Sequence, residues 1–185
     1  MKTTNVFSKN LQAYNQFKGT QTLIADQGGQ GSSKTVSILQ LLYQIARTSK
    51  SKKRITIASY ALPHLKGGAM QDFEDILTNE GIQPDSVRNK SEHMYFIGKS
   101  EITFVGIEGN EAKATGPRRD ILYLNEANKR VAYKVFELMN ARTRLATFID
   151  FNPSAEFWFH EQHIPNFDYH IIKSTFRDNE YLPKR

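Results

Sequence analysis

Three glycines, two serines and a Lys-Thr pair fall within eight residues, Gly28-Gly29-Gln30-Gly31-Ser32-Ser33-Lys34-Thr35. A turn of this composition lets successive backbone N–H groups converge on phosphate oxygens, and the first turn of a following helix adds donors and the positive end of its dipole. In a P-loop the lysine, here Lys34, reaches the terminal phosphates, and the hydroxyl that follows, here Thr35, sits on Mg²⁺. One position departs from Gly-x-x-x-x-Gly-Lys-Ser/Thr: Ser33 stands where the second glycine belongs. The bland alternative is a flexible Gly/Ser linker that happens to contain a lysine. An apolar run before it, Thr22-Leu23-Ile24-Ala25, and apolar residues at helical spacing after it, Val36, Leu39, Leu42 and Ile45, favour strand, phosphate loop and helix.

An acid must act opposite such a loop, and a candidate lies some ninety residues on. Ile121-Leu122-Tyr123-Leu124 is a continuous apolar run, as expected of a parallel strand covered on both faces, and it ends at Asn125-Glu126. The C-terminal ends of such strands meet the ligand crevice. Glu126 is therefore placed to orient and deprotonate an attacking water. Asn125 occupies the place of the aspartate that usually supports Mg²⁺; a neutral amide can hold a metal-bound water but adds no charge. Taken alone, Asn-Glu after a strand is also an ordinary helix cap with a first-turn acid. A further apolar strand ends at Asp150-Phe151-Asn152-Pro153, which places Asn152 near the γ-phosphate beside the loop, although Asn-Pro alone is equally a turn.

The elements that must hold these residues follow an α/β order. The pattern predicts a helix over 8–17, a strand over 21–26, the loop, and a helix to about residue 48. A strand over 54–60 and a helix over 62–79, opened by Pro63, come next. Residues 93–107 alternate around Gly98-Lys99-Ser100 as a hairpin, and 112–120 form a loop feeding the strand that ends at Asn125. A helix over 128–141, a strand over 144–151, a helix over 154–164 and a strand over 168–175 complete a mostly parallel sheet flanked by helices. Phe157-Trp158-Phe159 points to several faces and reads as core.

Composition agrees with one globular intracellular domain. At 185 residues the chain can bury a core without staples, and the absence of cysteine excludes disulfides and thiolate metal sites. No apolar run approaches the roughly 20 residues that cross a bilayer. His160 and His163 share a helical face without carboxylate company and read as surface. The net charge is +6, unevenly spread: residues 1–70 hold ten Lys/Arg against one acid, and the remainder fifteen against eighteen. The densest run, Arg47 to Arg54, could grip DNA phosphates by counterion release, or be a solvated loop at a helix C-terminus. It belongs at the edge of the sheet opposite the phosphate loop.

With these motifs in hand, the chain resembles the ATPase domain of the large terminase subunits of tailed bacteriophages. The features are the loop at 28–35, the strand ending in Glu126-Ala127, the strand closing on Phe151-Asn152-Pro153 with Trp158 after it, and Ser174-Thr175-Phe176-Arg177-Asp178-Asn179-Glu180-Tyr181-Leu182-Pro183. The last is similar to the family's Ser-Thr-Tyr-x-Asp-Asn-x-x-Leu-Pro segment. The resemblance implies a RecA-like fold with a strand inserted between the P-loop strand and the Glu126 strand. It implies ATP as substrate with Mg²⁺, Lys34 and Thr35 on phosphate and metal, Glu126 as catalytic carboxylate, and Asp150 to Asn152 as the segment coupling hydrolysis to movement. The partners it implies are double-stranded DNA, the portal protein, the small terminase subunit and a C-terminal nuclease domain. It also implies a homo-oligomeric ring on the capsid, a monomer in isolation, the host cytoplasm and no membrane. Only three residues follow Leu182, so the chain is expected to be the ATPase half of a longer protein.

Gln30 replaces an arginine that many relatives carry in the loop, so a transition-state arginine must come from elsewhere. Arg118 and Arg119 are the leading candidates, acting across a subunit boundary, with Arg142 and Arg144 behind them; surface charge or carboxylate pairing explains any one of them singly. Two other functional readings stand beside packaging: a RecA-like helicase or other nucleic-acid ATPase, and a binding module whose altered loop no longer hydrolyses ATP. The Phe-Asn-Pro and Thr-Phe-Arg-Asp-Asn segments speak against the first, and Glu126 against the second.

Overall fold

The computed structural model describes residues 1–108 and 116–182. Helix α1 (Asn5–Phe17) opens on Thr4, whose hydroxyl accepts from the Phe7 backbone N–H, an N-cap that carries the helix three residues earlier than its apolar spacing indicated. Strand β1 (Leu23–Gly28) leads through the glycine-rich turn into α2 (Lys34–Thr48), and β2 (Arg54–Ser59) follows. Short helices α3 (Leu62–Lys66), α4 (Ala69–Asn79) and α5 (Pro84–Val87) precede β3 (Arg88–Asn89), β4 (Met94–Ile97) and β5 (Ser100–Gly106). Then come β6 (Arg119–Leu124), α6 (Tyr133–Asn140), β7 (Thr143–Phe151) and β8 (Tyr169–Ser174).

One eight-stranded sheet runs β3-β4-β5-β2-β6-β7-β1-β8. The strands from β5 to β8 in this order are parallel, and β3-β4-β5 turn back antiparallel, with the expected hairpin closing at Ile97↔Ser100. β7 lies between β1 and β6, the insertion that the terminase resemblance implied. All six residues of β6 are buried, as its unbroken apolar run requires. Two apolar cores cover the faces. One joins α1, α2 and α4 through Val6, Ile38, Leu42 and Phe73; the other gathers Phe136, Trp158, Phe159 and Phe151, with Phe136 stacked on Trp158 at 4.6 Å between ring centres. The aromatic run at 157–159 is thus core.

Three helices differ from their patterns. The stretch 62–79 breaks at Gly67-Gly68, where a Cβ on Gly68 would stand 3.2 Å from the His64 carbonyl oxygen. The stretch 128–141 becomes helical only at Tyr133, because Glu126 and Arg130 both take left-handed backbone (φ +53° and +58°) in the turn leaving β6. The stretch 154–164 keeps only a wide π-type turn, Phe159–His163, since the chain spends the residues after Pro153 turning. Of the loop expected over 112–120, residues 112–115 lie outside the described residues. The basic segment after α2 sits at the far edge from the glycine-rich turn, with Arg47 paired to Glu80 and both Lys52 and Arg54 to Glu101.

Asp26 on β1 and Asp150 on β7 are register partners, and both are fully buried. Asn10 on α1 donates to Asp26 Oδ2 at 2.6 Å. Burial, reinforced by Asp150, still pushes the Asp26 carboxyl well above the usual carboxylate range. A carboxyl raised in the folded state favours folding most below its unfolded value of about 3.9, and that advantage is lost as pH rises through its folded value. Asp26→Asn keeps an acceptor for Asn10 and removes the titration. Thermal melts are expected to show the variant more stable than the native protein near pH 8, with the difference shrinking towards about pH 4; equal stability at both pH values would contradict the assignment.

Candidate nucleotide-binding site

Each position of the glycine-rich turn meets a distinct constraint. A Cβ on Gly28 would stand 2.6 Å from both Ser174 Oγ and Ser32 Oγ, so the end of β1 can be packed this closely only by glycine. Gly31 has φ +78°. Ser33, at the place of the second glycine, has φ +63°, which explains why glycine is usual there. Its hydroxyl lies 3.1 Å from Thr4 Oγ1, which also lies 3.0 Å from Ser37 Oγ, so the cap of α1 props the left-handed residue. α2 begins at Lys34, leaving its first-turn N–H groups without intrahelical partners. The Lys34 ammonium donates to Asn152 Oδ1 at 2.8 Å and, more weakly, to the Gly29 carbonyl at 3.4 Å.

The acidic side comes from the ends of β6 and β7. Their register pairs Leu124 with Ile149, so Asn125 and Asp150 emerge side by side. Asp150 accepts from Thr35 Oγ1 at 2.8 Å, from Asn125 Nδ2 at 3.1 Å and from the Glu126 N–H at 2.7 Å. Burial raises its carboxyl; the Glu126 N–H, Lys34 and Thr35 oppose the rise. Glu126, left-handed and half-exposed, forms an ion pair with Lys129 at 2.8 Å.

Gln30, Gly31, Ser32, Ser33, Lys34, Thr35, Asn125, Glu126, Asp150 and Asn152 line one cavity of about 340 Å³. His64 and Asp72 form another wall, and Asn179 closes the mouth by donating to the Gly31 carbonyl at 3.0 Å. Sequence reasoning assigned none of these three to the site. Asn179 lies within the Ser174–Pro183 segment, and His64 and Asp72 come from the two helices on either side of Gly67-Gly68. Asp150 was read as part of a coupling segment, not as the neighbour of Thr35.

Arg118 and Arg119, expected to act across a subunit boundary, are set apart from this cavity. Arg119 opens β6, so about 20 Å of strand, at ~3.3 Å per residue, separate it from Asn125. Arg118 and Arg119 thus lie at the opposite end of the strands, not beside the cavity, and cannot serve it within one chain. Arg119 is also buried, which lowers its guanidinium to about 10, with Arg142 nearby adding to the effect. Arg144 pairs with Asp120. Among the described residues just beyond the cavity end of β6, Lys129 pairs with Glu126 and Arg130 lies over the Tyr60 ring.

A phosphate loop at the end of a central parallel strand, with a carboxylate at the end of the next strand but one, defines a P-loop domain of the RecA-like kind. The profile of the phage terminase large subunit matches residues 20–185, and the chain belongs to that family. No curated protein sequence matches it. Among solved structures, the large terminase of a thermophilic bacteriophage superposes with a TM-score of 0.79 at 15% identity, covering 100% of this chain and 48% of that one. The same terminase in complex with ADP gives 0.79 at 15% identity, covering 99% and 48%. The HK97 bacteriophage large terminase gives 0.65 at 10%, covering 92% and 39%. The chain therefore spans about half the length of these terminases or less.

Ser33 supplies a test of the loop. Ser33→Ala and Ser33→Gly both lose the Thr4 contact, but only glycine relieves the left-handed strain, worth roughly 1 kcal/mol. Chemical denaturation should rank Ser33→Gly above Ser33→Ala by about that amount; the reverse order would mean the backbone is relaxed there.

Proposed function

We propose that this domain hydrolyses ATP to ADP and phosphate and that the cycle drives double-stranded viral DNA into a procapsid. The observation that carries the reading is the convergence of Lys34, Thr35, Glu126 and Asn152 on one cavity in a chain of the terminase family. The thermophilic phage's large terminase in complex with ADP and with ATP-γ-S, at the same fold, supports ATP as the nucleotide.

In this reading the loop N–H groups and Lys34 hold the triphosphate, and Lys34 exchanges its contact with Asn152 Oδ1 for phosphate oxygen. Asn152 thereby senses whether the lysine is engaged, which suits a segment that couples hydrolysis to movement. Glu126 leaves Lys129 to orient the attacking water and accept its proton. Bound Mg²⁺ would neutralise charge between the β- and γ-phosphates, with Thr35 as its hydroxyl ligand; the oxygen donors around that hydroxyl fit a hard cation. Gln30 brings no charge, so a cation from a neighbouring subunit completes the transition-state site in an assembled ring. Arg118, exposed at the opposite end of the strands, can serve only across such a boundary.

The portal protein, the small terminase subunit and duplex DNA are the partners of this activity, in the host cytoplasm. No helix among the described residues is long and apolar enough to cross a membrane.

Two substitutions separate binding from chemistry. Lys34→Ala is expected to lose ATP binding in equilibrium titration. Glu126→Gln should bind ATP normally and turn it over about 10²–10⁴-fold more slowly, the usual loss on removing a general base. Undiminished turnover in Glu126→Gln would remove Glu126 from the mechanism. Hydrolysis per subunit is further expected to rise on assembly with the portal, measured as phosphate release against portal concentration.

A further inference from the structure

We propose that Asp150, and not a residue at position 125, supplies the acid that holds Mg²⁺ with Thr35, and that Asn125 is the amide that aims it. The inference rests on the nucleotide site proposed above and names the donor that site otherwise lacks. Mg²⁺ in phosphoryl-transfer sites is typically held by one or two carboxylates together with substrate phosphates and waters. In P-loop enzymes the acid normally ends the strand that precedes the catalytic glutamate, which here is the position of Asn125. An amide there leaves the ion without a charged protein ligand.

The missing charge stands one strand over. Asp150 is completely buried near the end of the strand between β1 and β6. Its Oδ2 accepts from the Thr35 hydroxyl, the group that faces the metal in a P-loop. Its Oδ1 is fixed by two donors, the Glu126 N–H and Asn125 Nδ2, while Asn125 Nδ2 also lies 3.1 Å from Tyr123 Oη. These contacts commit Oδ1 to the end of β6 and the turn after it, and leave Oδ2 beside the Thr35 hydroxyl. Asp150 also lines the cavity that holds Lys34 and Glu126.

The arrangement makes the two positions exchangeable. Because they are lateral neighbours across β6 and β7, an acid at either can face the ion if an amide stands at the other. The test measures Mn²⁺ binding to the ADP complex by electron paramagnetic resonance, alongside ADP binding in EDTA. Asp150→Asn is expected to weaken Mn²⁺ binding by at least about tenfold, the lower end of what losing even an outer-shell partner costs a metal site. Its ADP binding in EDTA should persist. The exchange variant Asn125→Asp/Asp150→Asn is expected to regain most of the lost Mn²⁺ affinity. Asn125→Ala should weaken Mn²⁺ binding and Asn125→Asp should not.

Folded Asp150→Asn with native Mn²⁺ affinity overturns the assignment, as does an exchange variant no better than Asp150→Asn. If Asp150→Asn does not fold, the exchange variant decides alone: native-like Mn²⁺ affinity supports the proposal and lost affinity overturns it. Failure of the native chain to bind ADP in EDTA would instead refute the nucleotide site itself.

Discussion

A carboxylate shut away from water must find all its donors in the protein, and Asp150 finds them at the ends of three elements. Thr35 comes from the start of α2, Asn125 from the end of β6 and the Glu126 N–H from the turn beyond it. Burying a charged or strongly polar group without such partners costs several kcal/mol, so the three ends are held to one arrangement. The same junction fixes where Glu126 leaves the sheet, since its N–H is tied to Asp150 Oδ1 and the Ala127 N–H to the Asp150 carbonyl. The left-handed backbone of Glu126 is tolerated because both of its peptide neighbours are anchored in this way.

The phosphate side depends on that junction through Asn152. It leaves β7 two residues after Asp150 and holds Lys34 above the loop, so any shift of β7 along its axis moves the acid and the lysine partner together. Asn179 ties the far wall to the Gly31 carbonyl. The cavity is therefore walled by segments whose positions are mutually dependent, although they run from Gln30 to Asn179 in sequence.

Most of the sheet was legible because parallel strands covered on both faces are written as largely apolar runs, as in Ile121 to Leu124. The phosphate loop was legible for the same local reason, since its residues are contiguous. What local pattern could not show was lateral adjacency. That Asn125 stands beside Asp150 depends on the register of two strands, which no local pattern shows. The distance of the arginines from the cavity was hidden by their nearness in sequence to Glu126: Arg119 opens β6, whereas the cavity lies beyond its other end. Helix boundaries failed where backbone exceptions intervene, at Gly67-Gly68 and at the left-handed residues Glu126 and Arg130.

β1 lies between β7 and β8, both of which come late in the chain. The strand that launches the phosphate loop is therefore the second element made and among the last to be enclosed. Residues 23–28 cannot be paired on either side until the ribosome has delivered residues 143–174, and each pairing closes a loop of well over a hundred residues. Such non-local contacts raise the contact order and slow folding. During synthesis β2 and β5, close in sequence, can pair early, while the apolar face of β1 waits uncovered. Completion of the cavity is thus a late folding event, and a nascent chain that already carries the whole glycine-rich segment still lacks it.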